Sequence, residues 1–280
     1  MSRRIDSHQH FWNYSESAYP WIPPGSPLHR TWLPADLETL QEQVGLCGSI
    51  AVQARQCVGE NDWLLALADK HPSVLGVVGW VDLRSSRVEE QLEKFAAHPK
   101  FVGVRHVAQD EPDDRFLVGK DFMQGIARLQ KFDLCYDLLI FPKQLPAAIE
   151  LVRSFPEQSF VLDHCAKPLI ASGIREPWAS QIKELAAAPN VCCKVSGMVT
   201  EADQANWTSS QLRPYFDLIV EAFGPQRLMW GSDWPVCLLA SEYSRWLEAT
   251  HNWTQDWSTS EADAFFGGNA EAFYGTAGRQ

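Results

Sequence analysis

Two short runs, one near each end of the chain, concentrate residue types that do chemistry: Asp6-Ser7-His8-Gln9-His10 and Gly231-Ser232-Asp233-Trp234-Pro235. Residues two apart in an extended strand share a face, so Asp6, His8 and His10 line one surface. Two imidazoles there suit a divalent metal or a polar substrate. Asp233 joins them only if the chain closes back on itself. The combination points to a closed α/β barrel with hydrolytic chemistry at its mouth.

The elements that must position these residues follow from periodicity. Short apolar runs predict strands at 4–10, 49–55, 74–82, 101–106, 133–140, 159–164, 191–196 and 227–233. Longer amphipathic runs predict helices at 34–45, 60–71, 85–97, 120–131, 144–154, 178–188, 211–223 and 261–273. Pro34 ahead of Asp36 and Ser85-Ser86 ahead of Glu89-Glu90 are helix-start signals. Strand-helix alternation repeated eight times predicts a parallel (β/α)8 barrel of the TIM type, as one domain over residues 1–280. Two long loops, 11–33 and 106–120, follow strands one and four and belong at the mouth.

Composition narrows the partners. A formal charge of −11 without basic clustering argues against nucleic acid and anionic membranes. No apolar run reaches the length of a membrane span, and none of signal-peptide length follows Met1, so a cytoplasmic setting is expected. The seven cysteines form no C-x-x-C pair and are expected to be reduced. There is no G-x-S-x-G elbow, P-loop or G-x-G-x-x-G turn, which removes serine esterases, P-loop enzymes and Rossmann dehydrogenases.

In a barrel, function gathers at the carboxyl ends of the strands. Gln53, Arg105, His106, Asp137, Asp163, His164 and Lys194 fall there, in strands that are otherwise apolar. An unpaired charge in such a place costs several kcal/mol or more, so each needs a partner or a ligand. Lys194 is the sharpest case, because a barrel-interior lysine must pair or meet a substrate. His29, His71, His98 and His251 read as solvated surface, and Trp178, Trp246 and Trp253, at helix spacing, as packing.

The Asp-x-His-x-His run, Val161-Leu162-Asp163-His164-Cys165-Ala166-Lys167-Pro168, Lys194-Val195-Ser196-Gly197 and Gly-Ser-Asp-Trp-Pro together resemble the amidohydrolase superfamily. More narrowly, they are similar to its sugar-lactonase branch, the L-fucono- and L-rhamnonolactonase-like proteins, over about residues 4 to 275. The resemblance implies a distorted (β/α)8 barrel that hydrolyses a sugar-derived lactone to an aldonic acid. It implies that His8, His10 and Asp233 bind a divalent metal, zinc or manganese, and that Asp233 carries the proton of the attacking water. His164 matches a strand-six histidine that is a ligand in some branches and a substrate contact in others.

The chain departs from the superfamily's two-metal pattern, presenting Arg105 where a bridging Lys or Glu is expected and Asp137 in place of a histidine. One metal or none is therefore expected, and metal-independent catalysis stays open. Arg105, Lys194 and His164 are then expected to polarise the lactone carbonyl and hold its oxyanion. Gln53, His106, Asp137, Trp12, Tyr19 and Trp21 are candidates for recognising hydroxyls. A decarboxylase or amide hydrolase, and a catalytically silent sugar-binding or regulatory protein, are the alternatives. The sequence leaves the oligomeric state open.

Overall fold

Each of the eight apolar runs forms a strand, and each strand pairs in parallel with the next in chain order. The strands of this computed structural model, which describes residues 3–276, are β1 (Ile5–Gln9), β2 (Gly48–Val52), β3 (Val74–Gly79) and β4 (Phe101–His106). They continue with β5 (Cys135–Leu138), β6 (Phe160–Leu162), β7 (Val191–Val195) and β8 (Leu228–Trp230). The outer ring comprises α1 (Pro34–Val44), α2 (Val58–Lys70), α3 (Val88–Ala96), α4 (Lys120–Leu129), α5 (Leu145–Ser154), α6 (Trp178–Ala186), α7 (Ser209–Phe223) and α8 (Tyr243–Trp253). The expected (β/α)8 barrel is the observed fold.

Local chemistry explains these boundaries. Pro34 occupies the first helical turn of α1, Asp36 accepts the Leu33 amide at 3.0 Å, and Gly45 ends the helix at φ 73°. Helix α8 was not among the expected elements. Its buried face is built from Tyr243, Trp246, Leu247, Ala249, Thr250 and Trp253, aromatics and small residues that make a weak aliphatic pattern. The helix expected at 261–273 is broken into α9 (Thr259–Asp263), a π turn at Ala264–Gly268 and α10 (Asn269–Phe273). The break lets the chain press against the start of β1, where a Cβ on Gly267 would come within 1.9 Å of the Arg3 carbonyl oxygen.

The barrel closes differently from the rest of its circumference. Between β8 and β1 the described residues make a single isolated bridge, Gln9 to Trp234, rather than a ladder. The His10 amide donates to the Trp234 carbonyl at 2.7 Å and the Asp233 amide to the His8 carbonyl at 2.8 Å. Side chains complete the seam. Asp6 accepts from the Ser232 amide at 2.9 Å, the Ser232 hydroxyl at 2.5 Å and the Tyr243 hydroxyl at 3.0 Å. Ser7 donates to the Trp230 carbonyl at 2.7 Å. Asp6 thus joins the seam rather than the face shared by the histidines, and β1 carries a register irregularity between Asp6 and Gln9.

Apolar residues from several strands, among them Ile5, Ile50, Val78, Val102, Val161 and Met229, pack with Tyr274 into one interior cluster. A larger cluster joins the strands to the helices. The loop after β1 has its own small core of Trp12, Tyr19, Ile22 and Leu28. Trp12 and Trp32 exchange backbone hydrogen bonds of 3.0 and 2.9 Å at its base. No described helix is long and apolar enough to cross a membrane.

Candidate active site

A cavity of about 590 Å³ opens at the carboxyl ends of the strands. Its wall includes His10, Gln53, Arg105, His164, Lys167 and Asp233, with Trp12 and Trp21 contributed by the loop after β1. The two end runs therefore meet at one site.

Three imidazoles converge on Asp233. Its Oδ1 lies 3.3 Å from His10 Nε2 and 3.8 Å from the Nε2 atoms of both His8 and His164. His10 Nδ1 is 2.8 Å from the Val52 carbonyl, which can only accept, so Nδ1 carries a proton and Nε2 is the nitrogen that faces the carboxylate. A cation between the two, a metal ion or a proton carried on Nε2, satisfies this facing pair. His8, His10 and Asp233 have ligand atoms within 4.8 Å of one another, and so does the overlapping group His8, Asp163 and His164. Nitrogen and carboxylate donors of this kind fit zinc.

Burial decides the charge states. It pushes His8 well below the usual imidazole range and His164 to about 4, so both rings are neutral at neutral pH. Burial alone would raise Asp233, but His164, His10 and His8 together outweigh it and hold the carboxyl well below its usual range. At neutral pH the site is a carboxylate among neutral imidazoles at His8 and His164.

Beneath this layer lies a charge cluster. Lys194 Nζ donates to Asp137 Oδ2 at 2.5 Å, and lies 3.0 Å from Asp163 Oδ1 and 3.1 Å from His8 Nδ1. Arg105 donates from Nη1 to Asp163 at 3.1 Å and from Nη2 to the Gln53 carbonyl at 2.5 Å. Burial would raise Asp163, but Lys194, His8 and Arg105 hold it well below the carboxylate range. Two cations against two carboxylates satisfy the pairing that buried charge demands. Arg105 Nε, buried beside the cavity, has no hydrogen-bond partner among the described residues.

Strand β6 hands over to an unusual turn. His164, Cys165, Ala166 and Lys167 have φ values of 53°, 53°, 58° and 50° in succession. Each left-handed non-glycine residue costs about 1 kcal/mol or more, so the surroundings must hold the turn. They do so through Trp178 Nε1, which donates to the Cys165 carbonyl at 2.8 Å, and a 2.8 Å contact between His164 Nδ1 and the Ser196 hydroxyl. The turn puts both His164 and Lys167 on the cavity wall. Gly197, at φ +64°, makes room, since a Cβ there would sit 2.8 Å from the His164 ring.

The structure places four of the expected site residues away from the cavity wall. Lys194 is fully buried beneath His8 and does not reach the wall, as an oxyanion donor would have to. Asp137 is fully buried too, held by Lys194 and by the Tyr274 hydroxyl at 3.1 and 3.0 Å, so it is withdrawn from substrate hydroxyls. His106 lies beyond the cavity wall, because strand neighbours alternate and Arg105 takes the inward position. Its ring accepts from Trp80 Nε1, contacts Glu111 at 2.7 Å and stacks on Phe116. Tyr19 is buried in the loop's own core, its hydroxyl 3.5 Å from Glu60.

Conversely, Lys167, Gln109 and Asp110 line the cavity without having been singled out as site residues. Lys167 had a legible signal, a lysine just past the His164-bearing strand end. Tyr274 had none, because nothing local marks a C-terminal residue that reaches the barrel interior.

Comparison with known proteins identifies the family. The amidohydrolase family model, Amidohydro_2, matches residues 5–276. A Burkholderia multivorans protein named L-fucono-1,5-lactonase is 43% identical, over 97% of this chain and 95% of its own. One of the same name from Burkholderia ambifaria is 38% identical, over 98% of this chain and 96% of its own. A crystal structure of an amidohydrolase from Burkholderia multivorans with bound zinc is similar at a TM-score of 0.94 and 41% identity, covering 98% of this chain and 99% of that one.

Proposed function

The chain belongs to the amidohydrolase family, and from that premise we propose that it hydrolyses a sugar-derived lactone, L-fucono-1,5-lactone or a close relative, to the aldonic acid. The observation that carries the reading is the convergence of His8, His10 and His164 on Asp233 at the wall of a substrate-sized cavity. The reading includes one divalent ion, held by His8, His10 and Asp233, with His164 at hand as a further donor. When bound, such an ion supplies Lewis-acid activation of water and carbonyl oxygen.

Opening a cyclic ester needs a base for water, a stabiliser for the tetrahedral oxyanion and a proton for the departing ring oxygen. Asp233 is ionised at neutral pH and faces the cavity, so it takes the water proton and returns it to the leaving oxygen. Arg105 lies on the same wall, with its guanidinium held by Gln53 and Asp163 and Nη1 3.3 Å from His8 Nε2, and stabilises the oxyanion. His164, neutral and anchored by Ser196, orients the carbonyl. Trp21, about half exposed, offers an apolar face to the sugar ring and Lys167 a polar contact to its oxygens, while Trp12 and Gln53, both fully buried, back the wall.

A cytoplasmic setting is part of the same reading, and the seven free cysteines suit a reducing compartment. The test is acid release from a panel of aldonolactones, followed with a pH indicator. Rapid hydrolysis of L-fucono-1,5-lactone, with slower turnover of lactones of other configuration, is the expected outcome. Absence of hydrolysis across the panel by metal-loaded protein would overturn the reading.

A further inference from the structure

We propose that Tyr274, which lies on no barrel strand, is a positioning residue for His8. It follows α10 at the far end of the barrel from the cavity mouth, and its side chain is buried in the interior. Its hydroxyl lies 3.1 Å from Oδ1 and 3.0 Å from Oδ2 of Asp137, so both oxygens of that carboxylate are engaged from below. Asp137 in turn accepts from Lys194 at 2.5 Å, and Lys194 Nζ stands 3.1 Å from His8 Nδ1, beside Asp163 Oδ1, which lies 3.3 Å from the same nitrogen. All four side chains are almost fully withdrawn from solvent, Tyr274 at 2% exposure and the other three at 0%.

The chain of contacts has a physical consequence. A buried carboxylate that keeps only one donor is free to rotate about its own axis, and the ammonium paired with it follows. The Tyr274 hydroxyl removes that freedom, which fixes Nζ and, through its 3.0 Å contact, Asp163 Oδ1, the acceptor that His8 Nδ1 meets at 3.3 Å. Groups that hold a ligand histidine from behind orient the ring and tune the donor atom facing the cavity.

The C-terminal segment is well placed to act as a rigid support. Asn269 Nδ2 donates to the carbonyls of Pro225 and Leu228 at 2.8 and 2.7 Å, and Gly267 packs against the backbone of Arg3. The floor is therefore tied to both seam strands, β8 and β1, that carry or adjoin the candidate ligands.

The proposal rests on the metal reading only for its second readout. The first uses metal-free, full-length protein labelled with 15N-histidine, with the His8 signals assigned by their loss in His8→Asn. Tyr274→Phe is expected to shift the His8 ring nitrogens and leave those of His98 and His251 in place. The second readout is zinc affinity by competition with a chromogenic chelator, which is expected to fall about fivefold to tenfold in Tyr274→Phe. Asn269→Ala is the control, because it loosens the same helix and keeps the hydroxyl. It is expected to lower the melting temperature without moving the His8 signals.

Unchanged His8 signals in Tyr274→Phe would overturn the proposal, and so would Asn269→Ala reproducing the shift. Should Tyr274→Phe not fold, Asp137→Asn carries the same test, since it weakens the next link. A wild-type chain that holds no zinc would remove the metal reading and leave the nitrogen signals to decide this one.

Discussion

His10 Nε2 faces Asp233 Oδ1 at 3.3 Å across the seam between the first and last strands. The Val52 carbonyl accepts the proton of the other ring nitrogen in a hydrogen bond, so Nε2 is the atom turned to the carboxylate. Asp233→Asn keeps the shape and removes the basic oxygen. Turnover on L-fucono-1,5-lactone is expected to fall by roughly 10³-fold, with the melting temperature of metal-free protein within a few degrees of wild type. A variant that retains a tenth of wild-type turnover would remove Asp233 from the role of base.

Metal removal should be decisive and reversible. Dialysis against a strong chelator is expected to abolish hydrolysis, and about one equivalent of zinc to restore it. Zinc at a hundred times its dissociation constant should also stabilise the fold by about 2.7 kcal/mol, read as a rise in melting temperature. Full activity in demonstrably metal-free protein would leave the histidines as hydrogen-bonding groups.

Arg105→Lys keeps a positive charge near Asp163 but loses the planar fork that grips Gln53. The expected outcome is a drop in kcat on the order of 10²-fold with a smaller change in KM, measured by steady-state hydrolysis. A larger effect on melting temperature than on kcat would mark Arg105 as structural.

Gly197→Ala tests the left-handed turn from its neighbour. The added methyl would meet the His164 ring at 2.8 Å, on a backbone already at φ +64°. His164 must move, so catalytic efficiency is expected to fall at least about tenfold, alongside a stability loss of about 1–3 kcal/mol. Normal kinetics would show that His164 need not hold its present place.

Glu60 links the loop after β1 to pH. Its carboxylate is 5% exposed and accepts the Ala54 and Arg55 amides at 3.1 and 2.9 Å, yet burial lifts its pKa to about 7. An acid whose folded pKa exceeds its unfolded value near 4.5 carries no penalty below that value, one that grows between the two values, and the full penalty above the folded pKa. Glu60→Gln keeps an acceptor for both amides. It is expected to melt close to wild type at pH 5 and higher than wild type at pH 8, with a gap of at most about 3 kcal/mol. Equal melting at both values would refute the assignment.

The barrel and its ring of strand-end polar residues were legible because period-two and helical patterns record which face is buried. His8, His10, Arg105, His164 and Asp233 come together on that basis alone. What stayed hidden depends on the direction of a side chain within an interior. Nothing in a single strand tells whether Lys194 or Asp137 points at the substrate or at another charge, since both demand a partner and only packing selects it. The direction of His106 turned on one residue of register, and α8 was obscured because its buried face is aromatic rather than aliphatic.

Around most of the ring, ladder hydrogen bonds dictate the spacing of adjacent strands at about 4.8 Å. At the join of β8 and β1 two backbone hydrogen bonds are supplemented by one carboxylate, Asp6, and two hydroxyls, Ser7 and Ser232. The candidate ligands stand on opposite sides of that join. The spacing between the two sides of the candidate ligand set therefore rests on the clasp of Asp6, Ser7 and Ser232 and not on a strand ladder.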